Sequence, residues 1–150
     1  MIDWRNTNWL RFSSDRTNCW KNLNYNSNCI GWGSTDIADG SYILTTQNGL
    51  WYLSWATAVD PLLNWNSYKQ SFQVGLDNDG FFTQTGITTS ATCSTSLQSN
   101  CLTIFTREIT INTPGGNTGT LNISSIVRWK SKRDHEVKLD TTLTNWKSKF

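Results

Sequence analysis

Apolar and polar positions alternate along much of this chain, and the period is two. Cys101-Leu-Thr-Ile-Phe-Thr-Arg-Glu-Ile-Thr-Ile111 gives the clearest long strand, and Leu121–Trp129 gives the next. In Val127-Arg-Trp-Lys130, Val127 and Trp129 point to one face and Arg128 and Lys130 to the other. A turn follows, and then Val137 and Leu139 alternate with Glu136 and Lys138. The last three strands therefore read as a meander with short connections. Upstream, Tyr42–Trp55 divides into two strands around Asn48-Gly49, a pair that tolerates the positive φ angles of a tight hairpin. Phe72-Gln-Val-Gly-Leu76 alternates toward Asp77-Asn-Asp-Gly80, and Phe81-Phe82 resumes the strand.

Between these strands the periodicity is lost. Residues 2–12 read as the end of a helix, and residues 13–40 as a long polar loop. Residues 56–71 contain Pro61 and read as a connector with a helical turn. Residues 83–100 form a Thr/Ser-rich loop, and Pro114 with three Gly breaks the chain between the two longest strands.

Composition points the same way. Thr, Ser and Asn supply 53 of the 150 residues, nine residues are Trp, and only Glu108 and Glu136 are Glu. Thr and aromatics favour strands, and Asn and Ser favour turns. The expected fold class is α+β, mainly antiparallel β, in a single domain over residues 1–150. The net charge of +2 steers nothing by itself. Residues 126–150, however, hold seven Lys or Arg against three acids. That basic end would suit acidic neighbours or nucleic acid, although a solvated strand face is the commoner meaning of such a pattern.

The four cysteines, Cys19, Cys29, Cys93 and Cys101, contain no C-x-x-C pair, so neither a zinc ribbon nor a thioredoxin-like site is expected. Each local pair closes a short polar stretch that has little apolar content to hold it. The favoured pairing is Cys19–Cys29 and Cys93–Cys101, one of three connectivities, and it implies an oxidising compartment. The start of the chain shows no secretion signal, and no apolar run approaches the roughly 18 residues a membrane span needs.

The chemistry of catalysis is hard to find. His135 is the only histidine and reads as part of a charged surface turn. G-x-S-x-G, H-E-x-x-H, P-loop and dinucleotide patterns are absent, and no spacing singles out a carboxylate pair. Asp77, Asn78 and Asp79 offer hard oxygens of the kind calcium prefers, but a third acidic position and a bidentate Glu do not follow. A strand-connecting turn is the expected role, with no cofactor. Asn122-Ile-Ser124 matches the N-glycosylation pattern inside an expected strand. The tryptophans raise a second reading, a secreted carbohydrate-binding β-sandwich, which would keep two or three Trp coplanar and exposed. A secreted hydrolase is a third.

The order of these pieces resembles the soluble domains of type IV pilin-like proteins, particularly bacterial minor pilins and pseudopilins. Asp3-Trp-Arg-Asn-Thr-Asn-Trp9 is similar to the point where the long N-terminal helix of such proteins ends. Gly40-Ser-Tyr-Ile-Leu44 and Leu50-Trp51 are similar to their first strand and hairpin. Phe105-Thr-Arg-Glu-Ile-Thr-Ile111, Val127-Arg-Trp129 and Leu143-Thr-Asn-Trp146 are similar to their later strands and ending. The leader and apolar assembly helix that define the family are not among these 150 residues.

The resemblance implies a pilin-like head: a sheet packed on the remnant of an N-terminal helix, with Trp129 and Trp146 in the core. Arg128, Lys130, Glu136 and Lys138 would face solvent or a neighbouring subunit. It also implies a non-enzymatic filament subunit serving adhesion, motility, DNA uptake or secretion. Such a subunit is anchored in the inner membrane before assembly and displayed at the cell surface afterwards. Its partners would be other pilin subunits, held through the missing helix, with a surface, host cell or DNA as further ligands.

Overall fold

The computed structural model describes residues 37–47, 50–85, 87, 91–94, 99–116 and 120–144. The expected helix end at 2–12, the pair Cys19–Cys29 and Trp146 lie outside them.

The described strands are β1 (Gly40–Gln47), β2 (Leu50–Ala56), β3 (Gln73–Leu76), β4 (Phe82–Thr83), β5 (Cys101–Asn112), β6 (Thr120–Lys130) and β7 (Asp134–Thr144). They form one seven-stranded sheet in which every strand pair is antiparallel. β1 and β2 pair from Ser41↔Ala56 to Gln47↔Leu50, leaving the two-residue connection that Asn48-Gly49 predicted. The meander β5–β6–β7 is present, and β7 is longer than the Val137–Leu139 core from which it was inferred.

β5 is the spine of the sheet. One of its edges carries β6. The other is shared end to end by β1, paired at Ile109–Ile111, and β3, paired at Cys101–Thr106. Neither of these reaches the stretch between, and the amide of Gln84 fills the gap. Its Nε2 donates to the carbonyls of Phe72 (3.0 Å) and Arg107 (2.6 Å), and its Oε1 accepts from the Leu44 backbone N–H (3.3 Å). Buried backbone groups without a partner are costly, so a side-chain amide that mimics a peptide lets two strands share one edge. Arg107 closes the same junction, donating to Gln84 Oε1 and to the Leu44 carbonyl. Burial pulls its pKa down.

The two faces have different cores. On one, Ile37, Tyr42, Leu53, Ile109, Ile111, Leu121, Ile123 and Leu143 form the larger apolar cluster. On the other, Ala56 meets Tyr68 and Phe72 of the helix α1 (Trp65–Phe72). Residues 56–71 were expected to hold only a helical turn; eight residues of helix run from 65 to 72. Asn64 caps it, accepting from the Ser67 N–H at 3.1 Å. Trp65, Tyr68 and Phe72 fall on one side at helical spacing and pack in series, with ring centroids 5.7 and 4.9 Å apart. α1 ends where the chain turns directly into β3 at Gln73.

Asp77–Gly80 is a strand-connecting turn. Asp77 Oδ1 accepts from the N–H groups of Asp79 and Phe81, both at 2.9 Å, and Gly80 takes a φ of +80°. Cys93 and Cys101 are joined by a disulfide, and the 91–93 segment pairs with Leu102 through two backbone bonds. By chain entropy alone, closing so short a loop stabilises the fold by about 2–3 kcal/mol. Replacing both Cys93 and Cys101 by Ala should lower unfolding free energy in urea by that amount while leaving the sheet's circular dichroism intact.

Candidate functional site

The four charged residues singled out from the final hairpin lie on the α1 side of the sheet. Arg128 sits on β6 opposite Thr106 of β5 and Glu136 of β7. Its guanidinium lies beneath the helix. Nη1 donates to Glu108 Oε2 at 2.9 Å and, by a short bond, to the Tyr68 hydroxyl; Nε donates to Glu136 Oε2 at 2.7 Å. The same guanidinium lies 5.1 Å from the centre of the Tyr68 ring. Both glutamates of the chain therefore bind one arginine. Arg128 was expected to face solvent or a neighbour, and the structure corrects this: its side chain is 17% exposed. Alternation along β6 does separate Arg128 from Val127 and Trp129, but the face it selects is the one the helix covers.

Glu108 is the buried partner, its side chain 9% exposed. It accepts from Ser41 Oγ (2.6 Å), Tyr68 OH (3.0 Å) and Arg128 Nη1. Three donors from β1, α1 and β6 thus surround one carboxylate on β5. Burial works against Arg128's charge, but its bonds to Glu108, Tyr68 and Glu136 outweigh this and raise its pKa. Burial, reinforced by the Glu108 charge, pushes the Tyr68 phenol up to about 12.

The other two positions are more exposed. Lys130 pairs with Asp134 at 3.3 Å and lies 4.9 Å over the Trp65 ring. Lys138 pairs with Asp140 at 3.1 Å, and Asp140 also accepts a short bond from Ser124 Oγ. The hairpin's own acids thus absorb much of its basic charge. Lys132 and Arg133, at the tip, have no acidic partner among the described residues.

Between the 60–65 segment and the hairpin lies a cleft of about 530 Å³, lined by Trp65, Asp60, Arg128, Lys130, Asp134 and Glu136 among others. His135 is not in the turn where it was expected. It belongs to β7 and stacks on Trp129 at 4.9 Å, with its Nε2 3.1 Å from Ser131 Oγ. An imidazole beside a hydroxyl meets the first condition for activating a nucleophile, but among the described residues no carboxylate holds the other ring nitrogen. Trp129 is half-buried, between His135 and the edge of Phe105, and is not a core residue. Trp55, Trp65 and Trp129 are the tryptophans with described side chains, and no ring contact joins two of them. No group of three or more His, Cys, Asp or Glu among the described residues is placed to hold a metal.

Sequence reasoning missed Tyr68, Ser41 and the Glu108–Arg128 pair. The one available signal was that a strand otherwise rich in Ile and Thr carried Glu108 at its centre. Searches of protein-family models, curated proteins and solved structures return no match to this chain.

Reversing Arg128 to Glu leaves buried Glu108 facing a second negative charge and should cost at least about 3–5 kcal/mol in urea unfolding. Lys130→Glu should cost only about 1 kcal/mol, because it removes an exposed ion pair and a cation–π contact. Tyr68 should ionise near pH 12, above the usual 10 of a phenol. It can be read from phenolate absorbance as the difference between the parent and Tyr68→Phe. Because the folded pKa is raised, this contribution to stability is complete below pH 10 and is lost as pH rises through about 12.

Proposed function

We propose that this chain is the head domain of a type IV pilin-like filament subunit, a structural protein displayed at the cell surface and not an enzyme. One observation carries the reading. Three of the family-like blocks are far apart in sequence, yet they occupy adjoining strands of one sheet. Gly40–Leu44 lies in β1, Phe105–Ile111 in β5 and Val127–Trp129 in β6, and β5 pairs with both of the others. Such convergence is what a shared sheet order would require. The mainly antiparallel sheet with one short helix accords with the expected α+β, mainly antiparallel β class.

Under this reading the partners are other subunits of the filament. The head's contribution to contacts between them comes from its exposed final hairpin, where Lys130, Glu136 and Lys138 remain at the surface while Arg128 serves the fold. Exposed ion pairs are worth about 0–1 kcal/mol each, too little to assemble dilute heads. The 150 residues alone should therefore scatter light as monomers or small oligomers at physiological salt.

The direct test is immunogold labelling of the native producing cell with antibody raised against this chain. Label along surface filaments, lost on deletion of the gene, is the expected result. Label confined to soluble secreted material, with filament assembly unchanged by the deletion, would overturn the proposal.

A further inference from the structure

The outer edge of β7 is the longest run of sheet edge left open among the described residues. β7 pairs with β6 over all eleven of its residues, without a register shift, and with no other described strand. Residues 134–142 are all exposed. Open edges are normally blunted by proline, a bulge, charged side chains or an inward-pointing charge, because their free N–H and C=O groups accept another strand. β7 has neither proline nor bulge, and its charged residues Asp134, Glu136, Lys138 and Asp140 all fall on the α1 side. On the side away from α1 it holds Val137, 50% exposed, and Leu139, 69% exposed. Two exposed apolar side chains beside a strand edge with no partner among the described residues are the features of a strand that pairs further.

We infer that β7 pairs antiparallel with β7 of a second copy of this chain, with Leu139 opposite Leu139 on the two-fold axis, so that two seven-stranded sheets become one.

The charge pattern selects both the occupant and the register. With Leu139 on the axis, Lys138 faces the partner's Asp140, and by symmetry Asp140 faces the partner's Lys138. Val137 then meets Thr141, Glu136 meets Thr142 and Asp134 meets Thr144, so no like charges are opposed. Moving the axis to Lys138 sets Lys138 against Lys138 and Glu136 against Asp140. Moving it to Val137 restores two opposite-charge pairs but sets Asp134 against Asp140 twice. Moving it to Asp140 opposes two aspartates. Moving it to Thr141 leaves no charge pair at all. Within one chain Lys138 already lies 3.1 Å from Asp140. The Leu139-centred register therefore completes an alternating quartet of charges on one face, while on the other the two Leu139 side chains cover each other.

The contact is isologous and closes as a dimer. A single strand pair falls short of the roughly 1,000 Å² of a stable interface, so the dimer exchanges and is best trapped covalently. The inference does not depend on the filament reading, and failure of filament labelling would leave its test unaffected.

The test places a cysteine on β7 in the full chain, one site at a time, and follows covalent dimer on non-reducing gels in an oxidising buffer. Because a disulfide tolerates only a narrow range of Cα separation, Leu139→Cys should cross-link on the order of tenfold faster than Val137→Cys or Thr141→Cys alone. An equal mixture of Val137→Cys and Thr141→Cys should give the mixed dimer. Adding Lys138→Glu should slow the Leu139→Cys reaction, and adding Lys138→Glu with Asp140→Lys should restore it. Circular dichroism checks that each variant is folded. Equal rates at all three positions, or indifference to the charge swap, would overturn the register. Folded variants that stay monomeric throughout would overturn self-pairing and leave the edge to an extended segment of another protein.

Discussion

A carboxylate is buried at the middle of β5, and the arrangement around it follows from the cost of putting it there. Removing an ion from water costs several kcal/mol unless an opposite charge and hydrogen bonds replace the lost solvent. Glu108 has both. Ser41 comes from β1, Tyr68 from α1 and Arg128 from β6, so a single side chain fixes the relative positions of four elements. Arg128 extends the link to β7 through Glu136. The pairing also protects the register. A slip of one residue along β5 would move Glu108 to the face held by Ile109 and Ile111, where the larger apolar cluster offers it no donor.

The Gln84 junction solves a different problem in the same currency of satisfied polar groups. Two strands divide one edge of β5, and the backbone between them would be orphaned without an amide inserted from a loop. The Glu108 cluster secures the helix side of the sheet, and the Gln84 plug secures continuity within it. Between them they leave the β6–β7 end of the sheet to carry charge, a cleft and an edge with no partner among the described residues.

Much of this was legible in the chain. Alternation located the strands, Asn48-Gly49 set the first hairpin, Asp77–Gly80 marked a turn, and the Cys93–Cys101 spacing marked a disulfide. What alternation cannot report is which of two faces is covered. Arg128 and Lys130 look alike in the sequence, and only the position of α1 makes one a half-buried cation and the other a surface one. That helix was obscured because eight residues give too little length for a periodic signal, and Asn64 and the Trp65/Tyr68/Phe72 spacing were its only marks. Val137 and Leu139 misled in the opposite sense: they alternate like half-buried residues but stand on an edge strand, exposed. The Glu108–Arg128 pair depends on the β5–β6 register, which is a property of the folded sheet and not of either strand alone.

The account turns on the claim that buried Glu108 holds α1 to the sheet. Amide hydrogen exchange of the parent and of Glu108→Gln, site by site, tests this most directly. Protection should fall selectively at Tyr68–Phe72 while the β1–β2 and β6–β7 amides far from the cluster keep theirs. Unchanged protection in α1, or an equal loss throughout the sheet, would contradict it.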